Sequence, residues 1–204
     1  PAKYTLAPTE TVTRRLSSLG FKNVRTWARG VDRDQFYPLD TGRFSDLERP
    51  IMLNAGRVAV EKNLRSFLDL QLPGTKVVVG DGPQLEELRA DFPDVVFTGY
   101  LFGEELCEAF TAADVFVFPS ETDTFGLVML EALSCGTPVA ALPVEGPIDV
   151  ITSPKVGKLD RDLGAAICLA LRCASEDCIA FAKHFSWAEV ARKLEDHLVP
   201  IRAH

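Results

Sequence analysis

The sequence predicts an α/β domain built on a doubly wound parallel sheet. Three observations carry that prediction. From position 51 onward, short apolar runs recur at intervals of roughly 20–25 residues. Stretches of helical periodicity separate them. Each run ends in Gly, Pro, Asp or Arg, the residues of tight turns and anion contacts. Strands covered on both faces read as unbroken apolar runs. Alternation of such strands with helices favours parallel pairing through crossover connections.

The elements follow in order. The first 22 residues hold one helical pattern, with Thr9 as N-cap, Leu16 and Leu19 as its apolar positions and Gly20 as its stop. Val24–Ala28 reads as a short strand. Residues 30–50 carry Gly30, Pro38, Gly42 and Pro50 without periodicity, which is linker chemistry and places a domain boundary there. Ile51–Leu53 is a strand followed by Asn54-Ala55-Gly56-Arg57. Residues 61–70 form a helix with Leu64, Phe67 and Leu68 on one face. Lys76–Val79 is a strand, followed by Gly80-Asp81-Gly82-Pro83 and a helix over 84–91. Val95–Thr98 is a strand ending at Gly99-Tyr100, and 104–113 is helical. Val115–Phe118 leads through Pro119-Ser120-Glu121-Thr122-Asp123 into a helix over 124–135, closed by Gly136 and Pro138. Pro138–Leu142 is the last strand expected, and helices fill most of the remainder.

Composition excludes several classes. The chain has 204 residues, 47% hydrophobic and 25% charged, which suits one globular domain with a short extra arm. The net charge of −7 argues against a sequence-independent nucleic-acid binder. It leaves room for a local basic pocket. No run reaches the length of about 18 apolar residues that a membrane span requires, and no signal peptide opens the chain. The chain begins without Met, for which processing, tagging or excision from a longer polypeptide each account. The five cysteines (107, 135, 168, 173 and 178) form no CxxC, and the three histidines (184, 197 and 204) lie near the C-terminus. Reduced, helix-packing cysteines are expected, and no metal site.

Two segments carry chemistry. In the first, Thr124 is placed to cap a helix starting near Phe125, with Gly126 in its first turn. A helix start of this kind offers free N–H groups and a favourable dipole to phosphate. Asp123 stands just before that helix and Glu131 inside it. Carboxylates repel phosphate but accept hydrogen bonds from hydroxyls. A ligand with phosphate between two polyols, such as a nucleotide sugar, would use both features. The second segment is Gly56-Arg57-Val58-Ala59-Val60-Glu61-Lys62-Asn63. A cation at a helix start opposes the dipole, so Lys62 is poorly placed for stability alone. Two cations around one βα turn suit a diphosphate; a solvated Lys and a surface Arg fit the same segment equally well.

With these motifs in hand, the sequence resembles the retaining glycosyltransferases of the GT-B fold, family 4 (glycosyl transferases group 1). The resemblance covers roughly residues 24–200 and points to the C-terminal, donor-binding half. It rests on Gly56-Arg57 with Glu61-Lys62-Asn63, on Gly80-Asp81-Gly82-Pro83, and on the carboxylate pair Asp123 and Glu131 with internal Phe125-Gly126. Glu131-Ala-Leu-Ser-Cys-Gly-Thr-Pro-Val139 completes the match. The resemblance implies that Arg57 and Lys62 bind the donor diphosphate, that Glu131 holds the ribose hydroxyls, and that Asp123 contacts the transferred sugar. It implies that Phe125, Gly126 and Leu127 offer backbone N–H groups. The Gly80–Gly82 turn, with Asp81, and Gly99-Tyr100 would line the nucleoside side beside Gly56. Gly30-Val31-Asp32 resembles the family's interdomain crossover. The family usually has Glu where this chain has Asp123.

Residues 1–45 are then expected to be the tail of a preceding domain plus a linker, and 46–204 a Rossmann-like nucleotide-sugar-binding domain. The implied donor is a UDP-hexose or GDP-mannose, with no metal cofactor. The implied acceptor is a glycan or lipid held by the preceding domain, in a cytoplasmic protein whose parent associates peripherally with the inner face of the membrane. Transfer with retention through a front-face route is implied, with Asp123 as covalent nucleophile the alternative. Two other classes stay open: a nucleotide-sugar epimerase or phosphorylase on a similar scaffold, and a nucleotide-sugar-binding module without turnover. Trp187 is expected to be a packing anchor, and Met129 and Leu130 core residues.

Overall fold

The computed structural model describes residues 3–198. A six-stranded, all-parallel sheet organises the chain. Its strands are β3 (Ile51–Ala55), β4 (Thr75–Val79), β5 (Val96–Gly99), β6 (Val115–Phe118), β7 (Val139–Ala141) and β8 (Gly157–Leu159), in the order β5-β4-β3-β6-β7-β8. β1 (Thr5–Ala7) and β2 (Val24–Thr26) form a separate parallel pair around α1 (Glu10–Ser18).

Alternation along each strand separates two apolar layers. Ile51, Leu53, Val77, Val79, Phe116, Phe118, Val139 and Ala141 face one side. They pack against α4 (Glu104–Ala112), α5 (Leu127–Ser134) and α8 (Ser175–Ala182). Met52, Val78, Val115, Val117 and Ala140 face the other. There α2 (Leu64–Leu68), α3 (Leu85–Asp91) and α7 (Leu163–Ala170) cover them. Both faces are dry, which is why the strands read as continuous apolar runs. Met129 and Leu130 are fully buried, as expected. Cys107, Cys135 and Cys178 are buried free thiols, whereas Cys168 is exposed.

Several expectations need correction. β1 and β8 were not foreseen; each is three residues long, too short for a period to show. α1 has the Thr9 cap, whose hydroxyl accepts a hydrogen bond from Val12 N, but none of its residues is buried and Leu19 is 68% exposed. The helix expected over 61–70 is shorter, because Asn63 adopts φ 52° and separates a 3-10 turn (Val60–Lys62) from α2. The helix expected from 124 starts at Leu127. Gly126, at φ 76°, is its N-cap, and Thr124 makes no capping bond. Residues 31–47, within the stretch read as linker chemistry, form no regular helix or strand but pack on the core. Val31 and Phe36 are buried, and Leu39, Phe44 and Leu47 pack beside them. Trp187 is 45% exposed; its backbone rather than its ring is tightly packed, lying against Gly30. It opens α9 (Trp187–Glu195), for which Ser186 is the cap. α6 (Pro147–Val150) is a single turn after β7.

Candidate functional site: a cleft at the switch point of the sheet

The sheet order changes direction at β3. The chain runs outward through β4 and β5, then returns to place β6 on the other side of β3. Such a switch point opens a crevice beyond the carboxyl ends of the strands. Here the backbones of β3 and β6 register only at Met52–Val115 and Leu53–Phe116. One residue further on, the connection passes to a side chain: buried Asn54 donates from Nδ2 to the Val117 carbonyl at 2.9 Å.

A cleft of about 670 Å³ occupies this position, within the usual range for small-molecule sites. Gly56, Arg57 and Lys62 line it from the β3 turn and Gly80 from the β4 turn; Tyr100 follows β5, and Asp123, Phe125, Gly126, Leu127 and Glu131 follow β6. Ten of the twelve residues expected from the sequence therefore meet in one cavity. Asp81 and Gly82 do not line it. The Asp81 carboxylate turns back to accept from Gly82 N at 2.6 Å, and its carbonyl accepts from Val58 N at 2.9 Å. A Cβ on Gly82 would lie 2.3 Å from the Val58 carbonyl oxygen. These two residues hold one turn against the other behind the cleft wall.

Glycine is required at Gly80 for a similar reason. Its φ is +127°, and a Cβ would lie 1.9 Å from the Gly56 carbonyl oxygen. At the other end of the cleft, Gly146 (φ +92°) lets the β7 turn approach the Asp123 carbonyl, where a Cβ would come within 2.7 Å.

The loops after β3 and β6 are tied together across the crevice. Asn63 Nδ2 donates to the Pro119 carbonyl and to Glu121 Oε1, each at 3.3 Å. Ser120 Oγ donates to the Glu61 carbonyl at 3.3 Å. Lys62 Nζ lies 2.8 and 2.7 Å from the two Asp123 oxygens. Arg57 reaches Glu61 at 3.6 Å and remains exposed. Glu131, one turn into α5, is pushed up to about 7 by burial. Gly126, Leu127 and Val128 at the start of α5 line the same cleft, and no side chain caps this helix end. Among the described residues no three His, Cys, Asp or Glu side chains converge as a metal set would. Among the same described residues no helix is long and apolar enough to cross a membrane.

The arrangement combines cations, backbone N–H donors and hydroxyl-accepting carboxylates around an apolar wall that includes Leu101, Leu106 and Phe118. It suits a ligand with an anionic centre and hydroxylated ends. A profile for glycosyl transferases group 1 matches residues 49–172. The chain belongs to this glycosyltransferase family. It is 38% identical over 176 residues to a sulfoquinovosyl transferase of Arabidopsis thaliana, covering 77% of this chain and 34% of that protein. It is 39% identical over 165 residues to a GDP-mannose-dependent alpha-mannosyltransferase of Mycobacterium tuberculosis, covering 78% and 44%. The chain thus spans less than half the length of these relatives. Among solved structures, a sucrose-phosphate synthase from Thermosynechococcus elongatus superposes with a TM-score of 0.83 at 24% identity, over 97% of this chain and 58% of that one. An Anabaena protein in complex with UDP gives 0.80 at 15%, over 96% and 63%. At these identities the structures support the fold, the Rossmann-like half of GT-B enzymes.

Sequence reasoning missed Arg29, Asn54, Ser120 and Thr124, which also line the cleft. Arg29 had a signal in its neighbour, the Gly30-Val31-Asp32 crossover motif. Asn54 had one too, as the lone polar residue within an otherwise apolar strand.

Proposed function

We propose that this chain is the donor-binding part of a retaining glycosyltransferase that moves a hexose from a nucleotide-diphosphate sugar, a UDP-hexose or GDP-mannose, to an acceptor glycan or lipid. The observation that carries the reading is the meeting of Arg57, Lys62, Asp123, Glu131 and the α5 N-terminus in one switch-point cleft. Family membership and the names of the relatives support it. In this reading residues 1–45 are the tail of a preceding, acceptor-binding domain plus its linker, and 46–204 bind the donor. The parent is cytoplasmic and meets lipid-linked acceptors at the inner membrane face.

Arg57 and Lys62 face the diphosphate, and Gly126 and Leu127 add N–H groups. Glu131 accepts from ribose hydroxyls, and Asp123 from hydroxyls of the sugar. Gly56, Gly80 and Tyr100 bound the nucleoside. In transfer, the bond between the anomeric carbon and a phosphate oxygen breaks, and negative charge grows on the diphosphate. Fixed positive charge there stabilises the transition state. The acceptor oxygen bonds to the anomeric carbon on the face the phosphate leaves, and its proton passes to the departing phosphate oxygen. This front-face route assigns Asp123 no covalent step. The position of its carboxylate on Lys62 is consistent with that assignment, because a cation lowers carboxylate nucleophilicity.

Calorimetric titration of the chain with UDP and GDP tests the reading, with Arg57→Ala as control. Saturable binding of one nucleotide, weakened by the substitution, is expected. Absence of binding by either overturns the donor-site assignment for this chain. The chain alone is expected to transfer no sugar.

A further inference from the structure

Three cations line the cleft: Arg29, Arg57 and Lys62. Two are already engaged by carboxylates, Arg57 by Glu61 and Lys62 by Asp123. The half-buried Arg29 guanidinium forms no ion pair or hydrogen bond with any described residue. Asp123 is neutralised by Lys62, and burial pushes Glu131 toward its neutral form. Arg29 is thus the one cation lining the cleft with no carboxylate partner among the described residues.

Arg29 is nevertheless firmly placed. Its guanidinium carbon lies 5.4 Å from the centre of the Trp27 ring, within cation–π range. The Trp27 indole is itself fixed, with Nε1 donating to the Val190 carbonyl at 3.0 Å. The next residue, Gly30, packs so closely on the chain at 185–187 that a Cβ would come 2.9 Å from Trp187 N and 3.0 Å from the Phe185 carbonyl oxygen. Val31 N donates to that same carbonyl at 2.8 Å. The crossover segment therefore pins Arg29 on both sides and presents it to a cavity built by the sheet.

An arginine held in place, lacking a carboxylate and facing a ligand cavity, is suited to an oxyanion. Its planar fork matches phosphate with two parallel hydrogen bonds and is pre-organised for them. From this geometry we propose that Arg29 is a further phosphate-binding residue of the cleft, contributed from outside the parallel sheet. The proposal rests on the donor-site reading and names one more residue that recognises the nucleotide's phosphates. It also gives the crossover a direct role in binding.

The experiment is calorimetry of the whole 204-residue chain with uridine, UMP and UDP, and with the guanosine series. The unaltered protein is compared with Arg29→Ala, Arg29→Lys and Arg57→Ala. Arg29→Ala is expected to weaken diphosphate binding by about ten-fold, to leave nucleoside binding unchanged, and to make affinity less sensitive to salt. Arg29→Lys should recover part of the loss, since it keeps the charge but not the fork. Equal losses for nucleoside and diphosphate would overturn the proposal, as they mark a packing role. So would unchanged diphosphate binding by Arg29→Ala while Arg57→Ala weakens it, a result that leaves the donor-site reading standing. Failure of the unaltered chain to bind any nucleotide overturns both. Thermal melting of each variant separates loss of fold from loss of contact.

Discussion

Lys62 and Asp123, 61 positions apart in the chain, meet across the crevice with Nζ 2.8 and 2.7 Å from the two carboxylate oxygens. Both side chains are mostly buried, at 28% and 23% exposure. The cation proposed for the diphosphate and the carboxylate proposed for the sugar therefore satisfy each other. In the proposed reading a nucleotide sugar would replace both halves of this pair, giving Lys62 a phosphate and Asp123 a hydroxyl. A nucleotide without sugar replaces only one half and leaves a buried carboxylate unpaired, which is costly.

That asymmetry predicts the behaviour of Asp123→Asn. Lys62 is released, so UDP or GDP should bind more tightly, by roughly five-fold or about 1 kcal/mol. The preference for nucleotide sugar over nucleotide should shrink. Titration of both ligands against both proteins measures it. Weaker nucleotide binding by the variant would show that Asp123 does not compete for Lys62.

Glu131 predicts a pH dependence of stability. Burial raises its folded pKa to about 7, from an ordinary value of 4.5. Between those values the folded state holds a proton that the unfolded state has lost, so stability falls as pH rises through that window and levels off above it. Glu131→Gln removes the penalty. It should stabilise the protein at pH 8 by on the order of 2 kcal/mol, after allowance for partial exposure, and have little effect at pH 4. Denaturant unfolding at both values tests this. The same variant should bind nucleotide more weakly, because an amide accepts hydroxyl hydrogen bonds less strongly than a carboxylate.

Much of this cleft was legible because its parts lie next to strand ends, where sequence marks them clearly. Five apolar runs set β3 to β7, and the turns after β3, β4, β5 and β6 hold Arg57, Lys62, Gly80, Tyr100 and Asp123. What stayed hidden depends on packing between distant segments. Nothing local to Gly82 reveals that its Cα is pressed on the Val58 backbone, so the whole Gly80–Gly82 turn is expected on the nucleoside side, whereas only Gly80 lines the cavity. Nothing local to Thr124 reveals that Gly126 in a left-handed conformation starts the helix instead. Arg29 directly precedes the stretch without periodicity and Phe36 lies within it, and only the folded chain shows them placed by Trp27 and by the α4 side of the core.

Gly80→Ala should be severe. The new methyl would overlap the Gly56 carbonyl at 1.9 Å, and φ +127° is strained for any L side chain. Neither neighbour is a flexible side chain that can move aside. A loss of at least about 3 kcal/mol is expected, together with displacement of the β3 turn that carries Arg57. Gly42→Ala is the contrast, since a Cβ there meets nothing within 4 Å. Paired unfolding curves should show a large shift for the first and almost none for the second.

Asn54 offers the last and most discriminating test, because its amide replaces backbone pairing where β3 and β6 part. Asn54→Ala leaves the Val117 carbonyl without its donor inside a dry sheet. The cost should be about 2 kcal/mol, or roughly 6 °C in Tm for a chain of this size. Asn54→Asp keeps the shape but changes the chemistry. An ionised carboxylate cannot donate to a carbonyl and sets two acceptors against each other, so at pH 8 this variant should be less stable than the alanine. When protonated, the same group has an O–H to give. As pH falls through its carboxyl pKa, which burial raises, the aspartate variant should recover and overtake the alanine. Thermal melts of the two variants from pH 8 to pH 4 should therefore cross. Parallel curves would mean that the amide fills space at the mouth of the crevice without bonding across it.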